Sequence, residues 1–232
     1  MTVPDRTAHH VGFGEDTRIR DIASATESPT PGRSAARNTP PASSVTTALR
    51  LASVDLMSGA GSSTGLRVRL ATVADAAAML DIYNPEVEQR ISTFDLRPRT
   101  FDEQRRWIAD RSGAFSAVVA ELEPAGEAEP SIVGFASLSP YKERPAYSTT
   151  VENSVYVSRQ HGGQGIGRAL MNHIINVARD SGFHSIIARV EASGEASRAL
   201  HATCGFRLVG IEHEVGRKFG KWLSVAVYQL EL

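Results

Sequence analysis

The segment Val155-Tyr156-Val157-Ser158-Arg159-Gln160-His161-Gly162-Gly163-Gln164-Gly165-Ile166-Gly167-Arg168-Ala169-Leu170 reads as a β-strand that runs through a glycine-rich turn straight into an amphipathic helix. Gly162, Gly163, Gly165 and Gly167 allow several backbone N–H groups to converge at the helix N-terminus. Unpaired donors and the positive end of the helix dipole favour phosphate oxygens there. A plain strand-to-helix turn without a ligand is the alternative, since glycine-rich turns are common punctuation.

Two familiar phosphate loops do not fit the letters. A Walker loop needs Gly-Lys followed by Ser or Thr, and the chain has Gly167-Arg168-Ala169 at that place. A dinucleotide fingerprint needs a third glycine three residues after a Gly-x-Gly pair, but Arg168 and Leu170 occupy the two positions where it would fall. The loop is instead similar to the acetyl-CoA pyrophosphate loop of GNAT N-acetyltransferases: Arg or Gln, two residues, Gly, one residue, then Gly or Ala. Gly165 and Gly167 match this pattern, and Gly162 replaces the first side chain.

The rest of the composition removes several other classes of function. The chain has 232 residues, 41% of them hydrophobic, with 25 basic and 26 acidic side chains. That is enough for one well-buried domain, and there is no bulk charge bias toward nucleic acid. Lys142, Lys218 and Lys221 are its lysines, and no basic stripe with interleaved aromatics is present. The single cysteine, Cys204, excludes an internal disulfide and a thiolate metal cluster, so a cytoplasmic protein without a bound metal is expected. No apolar run is long enough to span a bilayer, and no membrane partner is expected.

Residues 1–64 are rich in Ala, Ser, Thr, Pro and Gly, with Phe13 as their aromatic residue. Such a segment cannot bury enough apolar area to offset its chain entropy, so it reads as a disordered extension with a short helix around 45–56. Asp5, Glu15, Asp16 and Asp21 argue against a transit signal, and Met57 offers a second start.

From residue 65 to 232 the pattern becomes an α/β alternation. Strands are expected at 66–71, 115–122, 132–138, 149–157, 184–190, 206–213 and 223–230. Helices are expected from Thr72 with an interruption near Pro85, over 100–111 with Phe101, Gln104, Trp107 and Ile108 near one face, from Ile166 to a stop at Gly182, and over 195–203. The polar stretch 123–131 joins a hairpin.

Amine acetylation requires a group that deprotonates an ammonium and donors that hold an oxyanion. Glu152 lies within a strand of β-formers, where a carboxylate either faces solvent or has chemical work to do. Around it, Pro140-Tyr141-Lys142-Glu143-Arg144-Pro145-Ala146-Tyr147, Thr150-Val151-Glu152 and Val155-Tyr156-Val157 resemble the phosphinothricin and methionine sulfoximine acetyltransferase branch of the GNAT superfamily. Ile82-Tyr83-Asn84, Ser92-Thr93-Phe94, Leu200-His201, Cys204-Gly205-Phe206 and Phe219-Gly220-Lys221-Trp222 extend the resemblance in the same order.

This resemblance implies a GNAT fold: a central mixed sheet with helices on both faces and a pyrophosphate-binding strand-loop-helix. It implies acetyl-CoA as cosubstrate, a small-molecule amine acceptor and a homodimer. Glu152 matches the general base, and His201 matches a histidine that assists proton transfer. Phe94, Lys142, Arg144 and Tyr147 match acceptor contacts. Backbone around Val155, Tyr156 and Val157, at a bulge that splays two strands, would hold the oxyanion and admit the cofactor, and Gly162, Gly163, Gln164, Gly165, Ile166, Gly167 and Arg168 would hold its pyrophosphate. The rival for Glu152 is a solvated strand face, for His201 a helix surface, and for Lys142 and Arg144 an ordinary charged loop.

Gly194 and Ser224 depart from the Asn and Asp usual at their positions in the branch. An acyl-CoA-binding sensor without turnover and a protein or peptide amine acetyltransferase are the other readings. Deleting residues 1–60 is expected to leave the melting temperature and acetyl-CoA turnover nearly unchanged. A large fall in melting temperature would refute the separation of this tail from the folded domain.

Overall fold

The computed structural model describes residues 65–123 and 129–232. The readings of 1–64 as disordered, with its short helix, and most of the loop 123–131 lie outside the described residues.

Seven strands form one mixed sheet in the order β1-β2-β3-β4-β5-β7-β6. They are β1 (Gly65–Leu70), β2 (Val118–Glu123), β3 (Ser131–Pro140), β4 (Thr150–Val157), β5 (Ser185–Glu191), β6 (Arg207–Lys218) and β7 (Lys221–Glu231). The helices are α1 (Ala76–Gln89), α2 (Phe101–Ala109), α3 (Ile166–Asp180) and α4 (Glu195–Thr203). β4 and β5 run parallel and every other neighbouring pair is antiparallel.

The sheet buries both faces because its inner strands are apolar at successive positions. Val118 and Ala120 join a core with Leu170, Met171 and Ile174 of α3. Val119 and Phe135 join a second core with Met79, Tyr83 and Val87 of α1 and Ile108 of α2. Alternation along each strand thus supplies two layers of packing from one sheet. In the second layer Phe135 stacks on Tyr156 at 5.1 Å, and Tyr83 meets Tyr156 edge-on at 5.0 Å.

Several details depart from the sequence reading. Pro85 lies inside a continuous α1, which it was expected to interrupt. The helix survives because tertiary bonds hold its C-terminal half: Asn84 donates to the Arg99 carbonyl at 3.0 Å and accepts from the Arg99 N–H at 3.0 Å. Phe101 is exposed, while Gln104 and Ile108 are the buried residues of α2. At the start of α2, Thr100 and Glu103 satisfy each other's backbone N–H groups, which fixes the helix one residue later than expected.

β6 runs five residues past the expected end at His213, because a register shift between Glu212 and Gly216 absorbs Glu214 at φ 53° and pairing then resumes as far as Lys218. Ser224, whose replacement of Asp had no reading from sequence, accepts the Glu214 N–H at 3.1 Å and so pins this irregularity. The turn to β7 has positive φ at both Phe219 and Gly220, the two-residue geometry that suits the twist of a hairpin.

Phe135 is 2% exposed at the centre of the aromatic layer. Phe135→Ala is expected to lower the unfolding free energy of the full chain by about 3–5 kcal/mol in denaturant titration. A loss below about 1 kcal/mol would mean that this layer is not close-packed.

Candidate active site

The ladder between β4 and β5 contains Thr150, Val151 and Glu152, opposite Ser185, Ile186 and Ile187. Beyond that point β5 continues to pair with β7, while β4 continues to pair with β3 as far as Val157. The strands therefore part at Glu152 and leave the β5-facing backbone edge of residues 153–157 without a strand partner. The expected bulge in β4 is absent from both of its ladders. A ladder that stops opens the same gap without an inserted residue.

Side chains alternate along β4 and divide the site between two faces. Tyr156 belongs to the α1 layer, so Glu152 and Ser154 share its face. Val151 and Val155 pack in the α3 layer, and Asn153 shares that face. Glu152 is half-buried, and burial raises its carboxyl pKa above the usual range. The charge of Arg189 opposes the shift and that of Glu212 adds to it. Those two groups bind each other across β5 and β6, with an Arg189 Nη2 to Glu212 Oε2 distance of 2.5 Å. Sequence patterning did not single them out, because they meet Glu152 only through the strand order.

His201 is 4% exposed and does not lie on the helix surface. Its Nδ1 lies 2.8 Å from the Ser197 carbonyl, which makes Nδ1 the donor and leaves Nε2 to accept from the Asn153 amide at 3.1 Å. Burial lowers its pKa, so the ring is held neutral. The structure does not bring His201 to Glu152: the imidazole belongs to the α3 face, between Phe206 and Tyr228.

The loop after β4 turns through Arg159–His161 and reaches Gly163 and Gly165 at φ 75° and 81°. Both are left-handed conformations that favour glycine, and a Cβ at either would meet no atom within 4 Å. The loop surface there is open backbone. Gly165 precedes α3 without a side-chain cap, and the first helical bond runs from Ala169 N–H to the Gly165 carbonyl. The N–H groups of Ile166, Gly167 and Arg168 lie in the uncapped first turn. Gly162 has room for a side chain, whereas a Cβ at Gly167 would press on Leu200 at 3.1 Å. Gln164 and Arg168 are exposed beside this turn.

Lys142, Glu143, Arg144 and Tyr147 line a cleft of about 480 Å³. Lys142 stands over the rings of Tyr141 and Tyr147 at 4.7 and 5.2 Å. Phe94 is 39% exposed, with its ring laid over Gly216, where a Cβ would come within 2.2 Å of Phe94 Cε2. Gly216, Lys218 and Glu86 were not singled out from the sequence. Gly216 and Lys218 reach the 91–95 loop from β6, and Glu86 reaches it from the end of α1.

Burial raises the Cys204 pKa, so its thiol lacks the activation of a nucleophile. No group of three or more His, Cys, Asp or Glu side chains suited to a metal ion occurs among the described residues. No helix among them is long and apolar enough to cross a membrane.

The chain is similar to known acetyltransferases. The sequence model of the Acetyltransferase (GNAT) family matches residues 76–206. A phosphinothricin N-acetyltransferase of Streptomyces coelicolor is 38% identical over 169 residues, covering 72% of this chain and 96% of its own. An L-methionine sulfoximine/L-methionine sulfone acetyltransferase of Pseudomonas aeruginosa is 33% identical, covering 71% of this chain and 94% of its own. A Sinorhizobium meliloti phosphinothricin acetyltransferase solved in complex with AcCoA superposes with a TM-score of 0.66 at 32% identity, covering 72% of this chain and 88% of that one.

Proposed function

Since the chain belongs to the Acetyltransferase (GNAT) family, we propose that it transfers acetyl from acetyl-CoA to the α-amino group of a small amino acid or analogue. Phosphinothricin and methionine sulfoximine, the substrates named for its relatives, define the acceptor class. The single observation that carries the reading is the placement of Glu152 at the point where β4 and β5 part. A carboxylate with a raised pKa there adjoins free strand backbone, and the same strand leads into an uncapped glycine loop.

In this scheme the β5-facing N–H groups of Val155 and Val157 are offered to the thioester oxygen, Tyr156 being paired with Phe135 of β3, and residues 162–168 receive the pyrophosphate. Glu152 takes a proton from the acceptor ammonium, directly or through a water. The freed amine forms the new C–N bond as the C–S bond to CoA breaks, and its second proton passes to the departing thiolate, which leaves as the CoA thiol. His201 is assigned to holding Asn153 and thereby β4, because both ring nitrogens are engaged on the other face of the sheet. Phe94 forms an acceptor wall, and the Lys142–Tyr147 loop receives the acceptor's carboxylate. Arg144 can grip that group through two donors, and Lys142 adds a point charge.

We also place the enzyme in the cytoplasm as a homodimer. The single cysteine supports the compartment. The edge strand β6, with Leu208, Val209, Ile211 and Val215 exposed, supports pairing of two copies.

Glu152→Gln is expected to lower turnover by about 10²- to 10⁴-fold with little change in acetyl-CoA affinity. The base acts as a carboxylate, so kcat/KM of the wild type should rise with pH through a pKa above the ordinary glutamate value. Arg189→Gln removes a charge that favours the carboxylate and should move this acid limb to higher pH. Glu212→Gln removes a like charge and should move it to lower pH. Reversed shifts would exclude Glu152 as the titrating base.

Acceptor choice is tested by assaying thiol release over amino acids, simple alkylamines and peptide amines. Arg144→Ala should raise the Michaelis constant of a carboxylated acceptor roughly 10-fold and leave that of acetyl-CoA nearly unmoved. Equal efficiency of the wild type on an alkylamine or a peptide lysine would overturn the amino-acid assignment.

A further inference from the structure

Glu86 lies near the C-terminal end of α1 and is 7% exposed. Its carboxylate accepts two bonds from the Arg159 guanidinium, Nε to Oε1 at 2.7 Å and Nη2 to Oε2 at 2.8 Å. Ser92 Oγ donates to the same Oε2 at 2.5 Å. Burial alone would raise the pKa of this carboxyl; the bonds from Arg159 and Ser92 hold it below the ordinary value, so Glu86 stays ionised.

The two donors belong to different parts of the site. Arg159 opens the turn Arg159–His161 that delivers the glycine loop, and the Gly162 N–H bonds back to the Arg159 carbonyl at 3.4 Å. Ser92 opens the loop that carries Phe94. The far side of that loop is fixed by Lys218, whose buried Nζ donates to the Thr93 carbonyl at 2.8 Å and to the backbone carbonyl of Glu86 itself at 3.4 Å. One residue of α1 therefore ties the cofactor loop to the acceptor wall through its side chain, and the acceptor wall to β6 through its backbone.

Arg159 is the exposed partner in this arrangement. Its side chain is 58% exposed, against 10% for that of Glu86, so water competes for the guanidinium. The bidentate fork forms only with the turn in one orientation. A ligand that orders the glycine loop fixes Arg159, and Arg159 then holds the carboxylate that orients Ser92. The ordering cost is met once and shared by both substrates, which makes the binding of each favour the other.

We propose that Glu86 is a positioning residue that couples the two substrates: acetyl-CoA in the glycine loop strengthens acceptor binding at the Phe94 wall through Arg159, Glu86 and Ser92. This rests on the acetyl-transfer reading above. The test uses the full chain, with L-phosphinothricin as acceptor and CoA as a cofactor that cannot transfer, and calorimetric titration of the acceptor with and without saturating CoA. In the wild type, CoA is expected to tighten acceptor binding roughly fivefold or more, the lower end of measured couplings.

Glu86→Gln and, separately, Arg159→Met should bring that ratio close to one. Arg159→Met alters a largely exposed side chain and decides the question should Glu86→Gln fail to fold. A Glu86 that merely supported the fold would, when replaced, weaken acceptor binding equally with and without CoA and leave the ratio as it was. An unchanged ratio in the folded variants, or no effect of CoA in the wild type, overturns the coupling. Acetyl transfer by the wild type to L-phosphinothricin is measured alongside. Transfer with an unchanged ratio refutes only the coupling, whereas no transfer to L-phosphinothricin or to any amino acid of the panel refutes the functional reading and this inference with it.

Discussion

Parallel pairing between β4 and β5 stops after Glu152 while both strands continue, each with its other neighbour. An interior strand with an unpaired edge is costly in a sheet, because each backbone donor or acceptor removed from water needs a partner. Here the cost is reduced because the gap opens to the surface, where water or a ligand can serve. The arrangement needs no bulge and no strained residue in β4. It also explains why the glycine loop belongs to this strand: the same segment presents free backbone first along its edge and then at the start of α3.

The two faces of β4 divide the work. On the α1 face, half-burial and the charge of Glu212 raise the carboxyl pKa of Glu152, and the charge of Arg189 opposes them. On the α3 face, His201 and Asn153 occupy each other, leaving Asn153 Oδ1 as one of the buried side-chain atoms without a partner. The imidazole is thus a packing element with both ring nitrogens engaged. Its neutral state follows from burial and requires no proton traffic.

Much of this was legible in the sequence because it is local. Strand alternation, the glycine turn and the stripe of α3 each involve residues a few positions apart, and each appears where the pattern put it. What was not legible depends on distant segments meeting. Pro85 reads as a helix break until Asn84 is seen bonded to Arg99. Phe101 reads as part of an apolar face until the sheet leaves it uncovered. His201 reads equally well as surface or site until β4 places Asn153 beside it. Glu86 and Lys218 lie 132 positions apart, and no periodicity could connect them.

Gly216 shows how selectivity can be written from outside a binding surface. Its missing side chain is the space that the Phe94 ring occupies, so any other residue there would push the ring away from β6. On the acceptor assignment proposed above, the displaced ring would move into the volume open to substrate. The dimensions of that volume are then stored as an absence on a neighbouring strand, one layer behind the residue that meets the acceptor. Divergence toward smaller acceptors could begin at this position with every contacting side chain conserved. A survey of relatives restricted to lining residues would overlook the change.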